Sequence, residues 1–433
     1  MTTIPKKRSI QQKTGELLKV AVATILLFLL VDVFLGAWVI SLVRPSEPFR
    51  VRHPVYHHTL KPNYDGLGRW GTWSYRICTS GEGFKTSCAQ KNSTKKEFDV
   101  AFLGDSFTEG IGLPYEQTFV GMVAAKQPDL SIANLGVVSY SPAIYLAKLK
   151  ELFAKGYRFN HVVVFIDIGD AYDEANAYDL HNDTIVVDKG EPYPLSLDRK
   201  LRRLASQYLP LTGEAWVQLR KLGASTTEPS LAHAPQHTRT QRDDNASVTQ
   251  PNTAKQSLTP SAQLPTETGV SPSSANAAIA PTTQTTLLET PFKNNIYEGI
   301  YLKNYPKSEW TYNVQSPHFG QDGVTGTLKK MTSQMAAIHR LVTSHGGTLS
   351  IGVYPWPGQI LYDDVDSLQV KTWREFCTSR CLRFYDAFPG FFKLAEATNK
   401  DAVVHKYYFA GDAHFNAEGN KVIAETILAQ GVQ

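Results

Sequence analysis

From Phe98 onward the chain alternates between short apolar runs and longer amphipathic stretches, and this rhythm limits its fold more than any other feature. DVAFL (99–103), SIANL (131–135) and HVVVFI (161–166) are compact, β-rich runs that read as strands. Between the last two, SPAIYLAKLKELFAKG (141–156) carries Ile144, Leu146, Leu149, Leu152 and Phe153 on a stripe close to the 3.6-residue period, with Gly156 placed to end the helix. The rhythm returns with a helix over 326–346, a strand TLSIGVY (348–354), a strand LRFYDAF (382–388) and a closing helix NAEGNKVIAETIL (416–428). Strands that alternate with helices imply an α/β fold whose parallel sheet is covered on both faces. No internal repeat is visible.

The rhythm breaks once. Residues 223–291 contain no Phe, Trp or Tyr and are dominated by Ser, Thr, Pro, Ala and Gln. Such a segment buries too little apolar surface to offset the entropy of ordering it, so it reads as a disordered insertion within the domain. Just before it, Arg199, Lys200, Arg202 and Arg203 form a basic cluster on an expected helix. A solvated helix face accounts for it, and lipid head groups or an anionic glycan are the alternatives.

Upstream, residues 20–43 form an apolar run broken only by Asp32. At 1.5 Å per residue, a helix of this length crosses the roughly 30 Å hydrocarbon core. The run is too long for a typical cleaved signal, and no small-x-small site follows, so it reads as an uncleaved anchor. Lys6, Lys7, Arg8, Lys13 and Lys19 precede it while only Arg44 follows closely, which keeps the N-terminus cytoplasmic and exports the rest. Asp32 is costly in lipid without a partner and marks either a helix–helix contact or a tolerated single carboxyl. The expected order is therefore a cytoplasmic N-terminus (1–19), a transmembrane anchor (20–43), a lead-in region (44–97) and a domain (98–433) interrupted by 223–291.

All four cysteines lie beyond the anchor as local pairs, Cys78 with Cys88 and Cys377 with Cys381. In an oxidising compartment disulfides are the natural reading, because local pairs need the least chain closure. A four-Cys zinc site is the rival, and the CxxxC spacing speaks against it. The net charge of +4 over 433 residues gives no concentrated basic stripe, so nucleic acid is not an expected partner.

Two short motifs carry chemistry. LGDSFTEG (103–110) follows the strand DVAFL, which puts Ser106 where a buried strand turns into a helix and backbone N–H groups face a developing oxyanion. Alone, a helix-capping serine explains the triplet equally well. GDAHFNAEGN (411–420) precedes the closing helix and holds Asp412 and His414 two residues apart. A serine hydroxyl needs an imidazole to take its proton, and the imidazole needs a carboxylate to fix its tautomer.

Together, in this order, the two motifs resemble the SGNH (GDSL esterase) hydrolase superfamily over roughly 98–222 and 292–433. The resemblance implies a flavodoxin-like three-layer sandwich, with Ser106 as nucleophile, His414 as base and Asp412 as its orienting acid. The family's glycine block matches NLG (134–136), which implies that Gly136 joins Ser106 in donating N–H groups to the oxyanion. Two departures stand out. Where the family commonly has GxND, this chain reads DIGD (167–170), with Gly169 in place of the Asn, so that donor is missing or comes from elsewhere, Asn176 being one candidate. DxH also replaces the commoner DxxH, a spacing similar to that of bacterial-envelope carbohydrate O-acetyltransferases such as those acting on alginate.

Asp167, Asp170, Asp173 and Glu174 gather at the C-terminal end of a strand, the edge where open α/β sheets bind ligands. Asp105, Asp170 and Trp356 are the substrate-binding candidates. Trp356 is suited to stacking on a sugar ring, with a packed loop tryptophan as the alternative. The acidic residues have no defined metal spacing, so neither metal nor cofactor is expected. The function expected is a membrane-anchored serine acyl-ester enzyme of the bacterial inner membrane, with its domain on the periplasmic side. It would act on an acylated glycan as esterase or O-acetyltransferase, and a transferase would need a membrane acyl-transfer partner. The alternative is a non-catalytic glycan-binding or scaffold subunit of an envelope polysaccharide assembly.

Overall fold

The computed structural model describes residues 10–43, 47–71, 73–182, 185–189, 209, 211–212 and 300–432. The expected insertion 223–291 and the basic cluster at 199–203 lie outside them.

The chain opens with α1 (Ile10–Val43). Within it Gly15–Gly36 is long and apolar enough to cross a membrane. Asp32 is fully buried: its carboxylate accepts the backbone N–H groups of Leu211 (2.7 Å) and Thr212 (2.8 Å) and the Thr212 hydroxyl (2.5 Å). The carboxyl thus meets another segment of its own chain, as its cost in an apolar helix demands.

After α1 come the hairpin β1 (Arg50–His53) and β2 (His57–Leu60), then β3 (Asp65–Trp70), β4 (Trp73–Thr79) and β5 (Lys85–Thr86). The chain continues through β6 (Glu97–Leu103), α2 (Ser106–Glu109), α3 (Phe119–Lys126), β7 (Ile132–Asn134), α4 (Pro142–Ala154), β8 (Arg158–Phe165) and α5 (Asp170–Asn176). A second small hairpin pairs β9 (Tyr178–His181) with β10 (Ile185–Asp188). The remainder is α6 (Gly323–Ser344), β11 (Thr348–Val353), α7 (Pro357–Tyr362), α8 (Leu368–Cys377), β12 (Phe384–Asp386), α9 (Phe388–Ala397), α10 (Lys400–Tyr407) and α11 (Ala417–Gln430).

Eight strands form one sheet in the order β12-β11-β8-β6-β7-β5-β4-β3. The first five run parallel, and β5, β4 and β3 extend the sheet antiparallel. The strands expected from the apolar runs are all present. What the sequence did not reveal is that the lead-in region supplies the last three strands of the same sheet. The central strand β6 is buried on both faces: Val100, Ala101, Phe102 and Leu103 have no exposed surface. That explains its unbroken apolar run.

From β6 the chain first crosses to β7 on one side through α3, then returns through α4 to β8 on the other. With right-handed crossovers, these two helices lie on opposite faces of the sheet. α11 packs with α3 and α6 with α4, completing the outer layers. The strand order reverses at β6, so a crevice opens at its C-terminal end. Cys78–Cys88 ties β4 to the loop after β5, and Cys377–Cys381 closes the end of α8.

Candidate active site

Ser106 is the first residue of α2, directly beyond the C-terminal end of β6. Asp105 caps that helix, its carboxylate accepting the Phe107 N–H at 3.0 Å. Gly104 is needed for the tight exit, since a Cβ there would fall 2.1 Å from Thr108 Oγ1. From the far end of the sequence, the loop 409–414 brings His414 to the same point. Ser106 Oγ lies 2.7 Å from His414 Nε2, and His414 Nδ1 lies 2.9 Å from Asp412 Oδ1. A carboxylate oxygen only accepts, so Nδ1 carries the proton and Nε2 is left to take one from the serine. All three residues are at least 95% buried. The imidazole packs with Phe107 (ring centroids 4.7 Å apart) and stands perpendicular to Trp70 (5.1 Å, 86°).

Asp412 is surrounded by N–H donors. Oδ1 also accepts from Ala413 N (2.6 Å) and His414 N (3.3 Å), and Oδ2 accepts from the Trp70 indole N–H. On its backbone side, Tyr301 O–H reaches the Asp412 carbonyl (3.4 Å) and accepts the Gly411 N–H (3.0 Å). Sequence reading missed Trp70 and Tyr301. Neither sits in a motif, and each is more than a hundred residues from the loop it holds.

The expected oxyanion donors fare differently. The Ser106 N–H belongs to the first turn of α2, where helical N–H groups have no intrahelical acceptor. The expectation for Gly136 is corrected: its N–H donates to Asn134 Oδ1 at 3.0 Å. A glycine is required there for another reason, because a Cβ would sit 2.6 Å from Glu109 N and 2.7 Å from Thr108 Cβ. Asn176 does not serve either; it is exposed, and its amide donates to the carbonyls of Tyr172 (3.1 Å) and His318 (2.8 Å). At Gly169, a side chain would run into Asp167 Oδ1 (2.7 Å) and the Trp356 indole (3.3 Å). The tryptophan thus covers the position where the resemblance led us to expect an asparagine.

The three substrate-binding candidates are corrected as well, because all are buried. Trp356 is 4% exposed and donates its indole N–H to Asp167 Oδ2, so it is a packed tryptophan and not a stacking platform. Asp170 accepts from Tyr145 O–H at 2.8 Å. Asp105 accepts from Tyr354 O–H (3.1 Å) and lies 3.2 Å from Ser106 Oγ. The edge is roofed by the segment that follows the insertion: Trp310 N–H donates to Ile168 O (3.0 Å), and Lys307 pairs with Asp173 (3.0 Å).

Asp105, Asp167 and Asp170 each place one oxygen within 4.8 Å of the others, a spacing that a hard cation would accept. Their protonation is shifted together. Burial, opposed by the Phe107 N–H and His414, pushes the Asp105 carboxyl up to about 6. Burial and then the charge of Asp105 push Asp167 and Asp170 well above the ordinary carboxylate range. Glu109, three residues from the serine, behaves in the opposite way. Burial alone would raise it, but Arg50 and Lys85 outweigh that and hold it low. Arg50 grips Glu109 with two N–H groups at 2.7 and 2.8 Å, and Val138 N–H adds a third at 2.9 Å.

No protein-family model matches the chain, and no curated protein matches it. Among solved structures it is similar to a member of the lipolytic protein G-D-S-L family from Veillonella parvula DSM 2008, at 10% identity and a TM-score of 0.35. That match covers 78% of this chain and 98% of the other.

Proposed function

We propose that this chain is a membrane-anchored serine acyl-ester enzyme acting on an acylated carbohydrate, most simply an acetylated one. The observation that carries the reading is the continuous relay from Ser106 Oγ through His414 to Asp412, with contacts of 2.7 and 2.9 Å. In the first half-reaction Ser106 Oγ attacks the ester carbonyl while its proton passes to His414 Nε2. The tetrahedral oxyanion then collapses, the C–O bond to the alcohol breaks, and His414 returns the proton to the departing oxygen. In the second half-reaction the incoming O–H loses its proton to His414 as its oxygen attacks the acyl-serine, and Ser106 is released. Water as the incoming group makes an esterase, and a glycan hydroxyl makes an O-acetyltransferase.

A serine only 5% exposed supports a small acyl group. The helix at Gly15–Gly36, the basic residues ahead of it and the two disulfides support an anchor in a bacterial inner membrane with the domain in the periplasm. If the acceptor is a glycan, the acyl group must be delivered by a membrane acyl-transfer partner. The chemistry itself needs no cofactor.

A second reading, a non-catalytic glycan-binding or scaffold subunit, is favoured by the engaged Gly136 N–H and the covered Gly169. Each missing oxyanion donor costs about 3–4 kcal/mol of transition-state stabilisation. Turnover of p-nitrophenyl acetate separates the readings when followed beside Ser106→Ala, with and without glycan acceptors. We expect turnover that the substitution abolishes, and acyl transfer to a glycan marks a transferase. A folded protein with no turnover and no acyl-serine by mass spectrometry supports the scaffold.

A further inference from the structure

Resting on that reading, we infer that Trp70 is a positioning residue for the acid–base pair, supplied by a hairpin outside the parallel core. Trp70 ends β3, pairs in register with Trp73 and so closes the β3–β4 turn at the edge of the sheet. Its indole N–H points at Oδ2 of Asp412, 342 residues away.

The need for it follows from how the donors on Asp412 are divided. The other three N–H donors, Ala413 N, His414 N and His414 Nδ1, all fall on Oδ1. They come from the loop that carries the carboxylate, so they would persist if the carboxylate rocked about its Cβ–Cγ bond and exchanged its oxygens. Trp70 is the contact that singles out Oδ2 and so fixes which oxygen faces the imidazole. Asp412 has no exposed surface, so an Oδ2 stripped of that N–H would be a buried acceptor without water to replace the donor. An indole suits the task because its N–H donates and cannot accept, so it never competes with Asp412 for the proton of His414.

The same ring sets the place of the base. Trp70 and the His414 imidazole meet edge to face at 86°, while Phe107 packs on the imidazole at 33°. Gly112, at φ +80°, lies beneath this arrangement; a Cβ on it would come within 3.0 Å of Phe409 and 3.5 Å of Trp70. Hydrogen bond and edge contact together hold Nε2 toward Ser106. The hairpin bearing Trp70 belongs to the lead-in region, so this support reaches Asp412 only when that region is docked on the sandwich.

The test uses the full chain and the substitution Trp70→Phe, which keeps an aromatic ring and deletes the donor. Serine-dependent turnover of the unsubstituted protein is established first with Ser106→Ala. Its absence sinks the enzyme reading itself and is thereby distinguished from a failure at Trp70. For W70F we expect kcat to fall roughly ten- to a hundred-fold, the range for a buried charged acceptor losing a donor. KM should stay nearly unchanged, labelling of Ser106 by a fluorophosphonate should slow in step with kcat, and the downfield proton resonance of His414 Nδ1–H should move. Trp70→His, whose Nε2 can occupy the place of the indole nitrogen, should recover part of the loss. An unchanged kcat in a folded W70F protein overturns the inference. A raised KM at constant kcat overturns it too, since Trp70 would then touch substrate. If W70F does not fold, a folded W70H with no activity above that of Ser106→Ala overturns the inference, and intermediate activity sustains it.

Discussion

Two buried carboxyl groups stand near Ser106, Asp105 beside it and Asp412 behind His414, and they have different surroundings. Asp412 is ringed by N–H donors from its own loop and from Trp70. On the other side, Asp105 lies with Asp167 and Asp170; burial raises all three, and the charge of Asp105 adds to the rise at Asp167 and Asp170. Glu109, on the same short helix as the serine, is a third case, a buried carboxylate fully paired with Arg50. Burial alone therefore does not decide what a carboxyl near Ser106 can do. The donors around it do. Of these carboxyls Asp412 alone combines such donors with contact to the imidazole, and that combination is what a triad acid requires.

The comparison can be broken most severely at the carboxyls themselves. Asp412→Asn replaces an acceptor of the His414 proton with a group that can present a donor, so the imidazole is held in the wrong tautomer. We expect kcat on p-nitrophenyl acetate to fall on the order of 10⁴-fold. Asp170→Asn, nearly isosteric with a protonated aspartic acid, should leave kcat within a few-fold. Equal losses at the two positions would show that the acid cluster also takes part in the reaction.

A smaller effect is expected at Glu109. Arg50→Met leaves its carboxylate buried without its main partner, and breaking such a pair costs about 3–5 kcal/mol. Urea unfolding followed by circular dichroism would read this directly. A loss below 1 kcal/mol would mean that Glu109 readily takes up a proton, as burial drives the acid cluster to do.

The smallest effect is in pH dependence. The folded-state affinity of Asp170 for its proton is raised, so the folded protein binds more protons here than the unfolded chain. The stability this group contributes is present at low pH and is lost as pH rises. Asp170→Asn removes that dependence. The melting temperature of the variant should match or exceed the wild type at pH 8, with the difference shrinking toward pH 5. A difference that instead grows on acidification would mean Asp170 is stabilised as an anion.

The sequence displayed Ser106, Asp412 and His414, which the fold brings into contact, because each sits in a short motif tied to an element boundary. Ser106 follows the apolar run of β6, and His414 precedes the closing helix α11. It displayed the parallel strands for a similar reason, since burial on both faces writes an unbroken apolar run. The antiparallel strands were hidden because β3 and β4 alternate exposed with buried residues, such as Leu67 and Arg69 around Gly68 and Arg76 between Tyr75 and Ile77, and β5 is only two residues long.

The errors at the site have separate causes. Asp105, Asp170 and Trp356 do lie at the C-terminal edge of the parallel strands, but the segment carrying Lys307 and Trp310 covers that edge. Nothing in the local sequence announces such a roof. Gly136 failed as a donor because the Asn134 side chain, two residues away, takes its N–H. Trp70 was illegible because its partner is 342 residues distant.

The most direct test of the account is covalent mapping of the nucleophile. The full chain would be treated with a fluorophosphonate, digested and sequenced by mass spectrometry, beside folded His414→Ala. The account predicts an adduct on Ser106 in the unsubstituted protein and little or none in the variant. A folded protein that carries no adduct on Ser106, or that is labelled equally without His414, would contradict it.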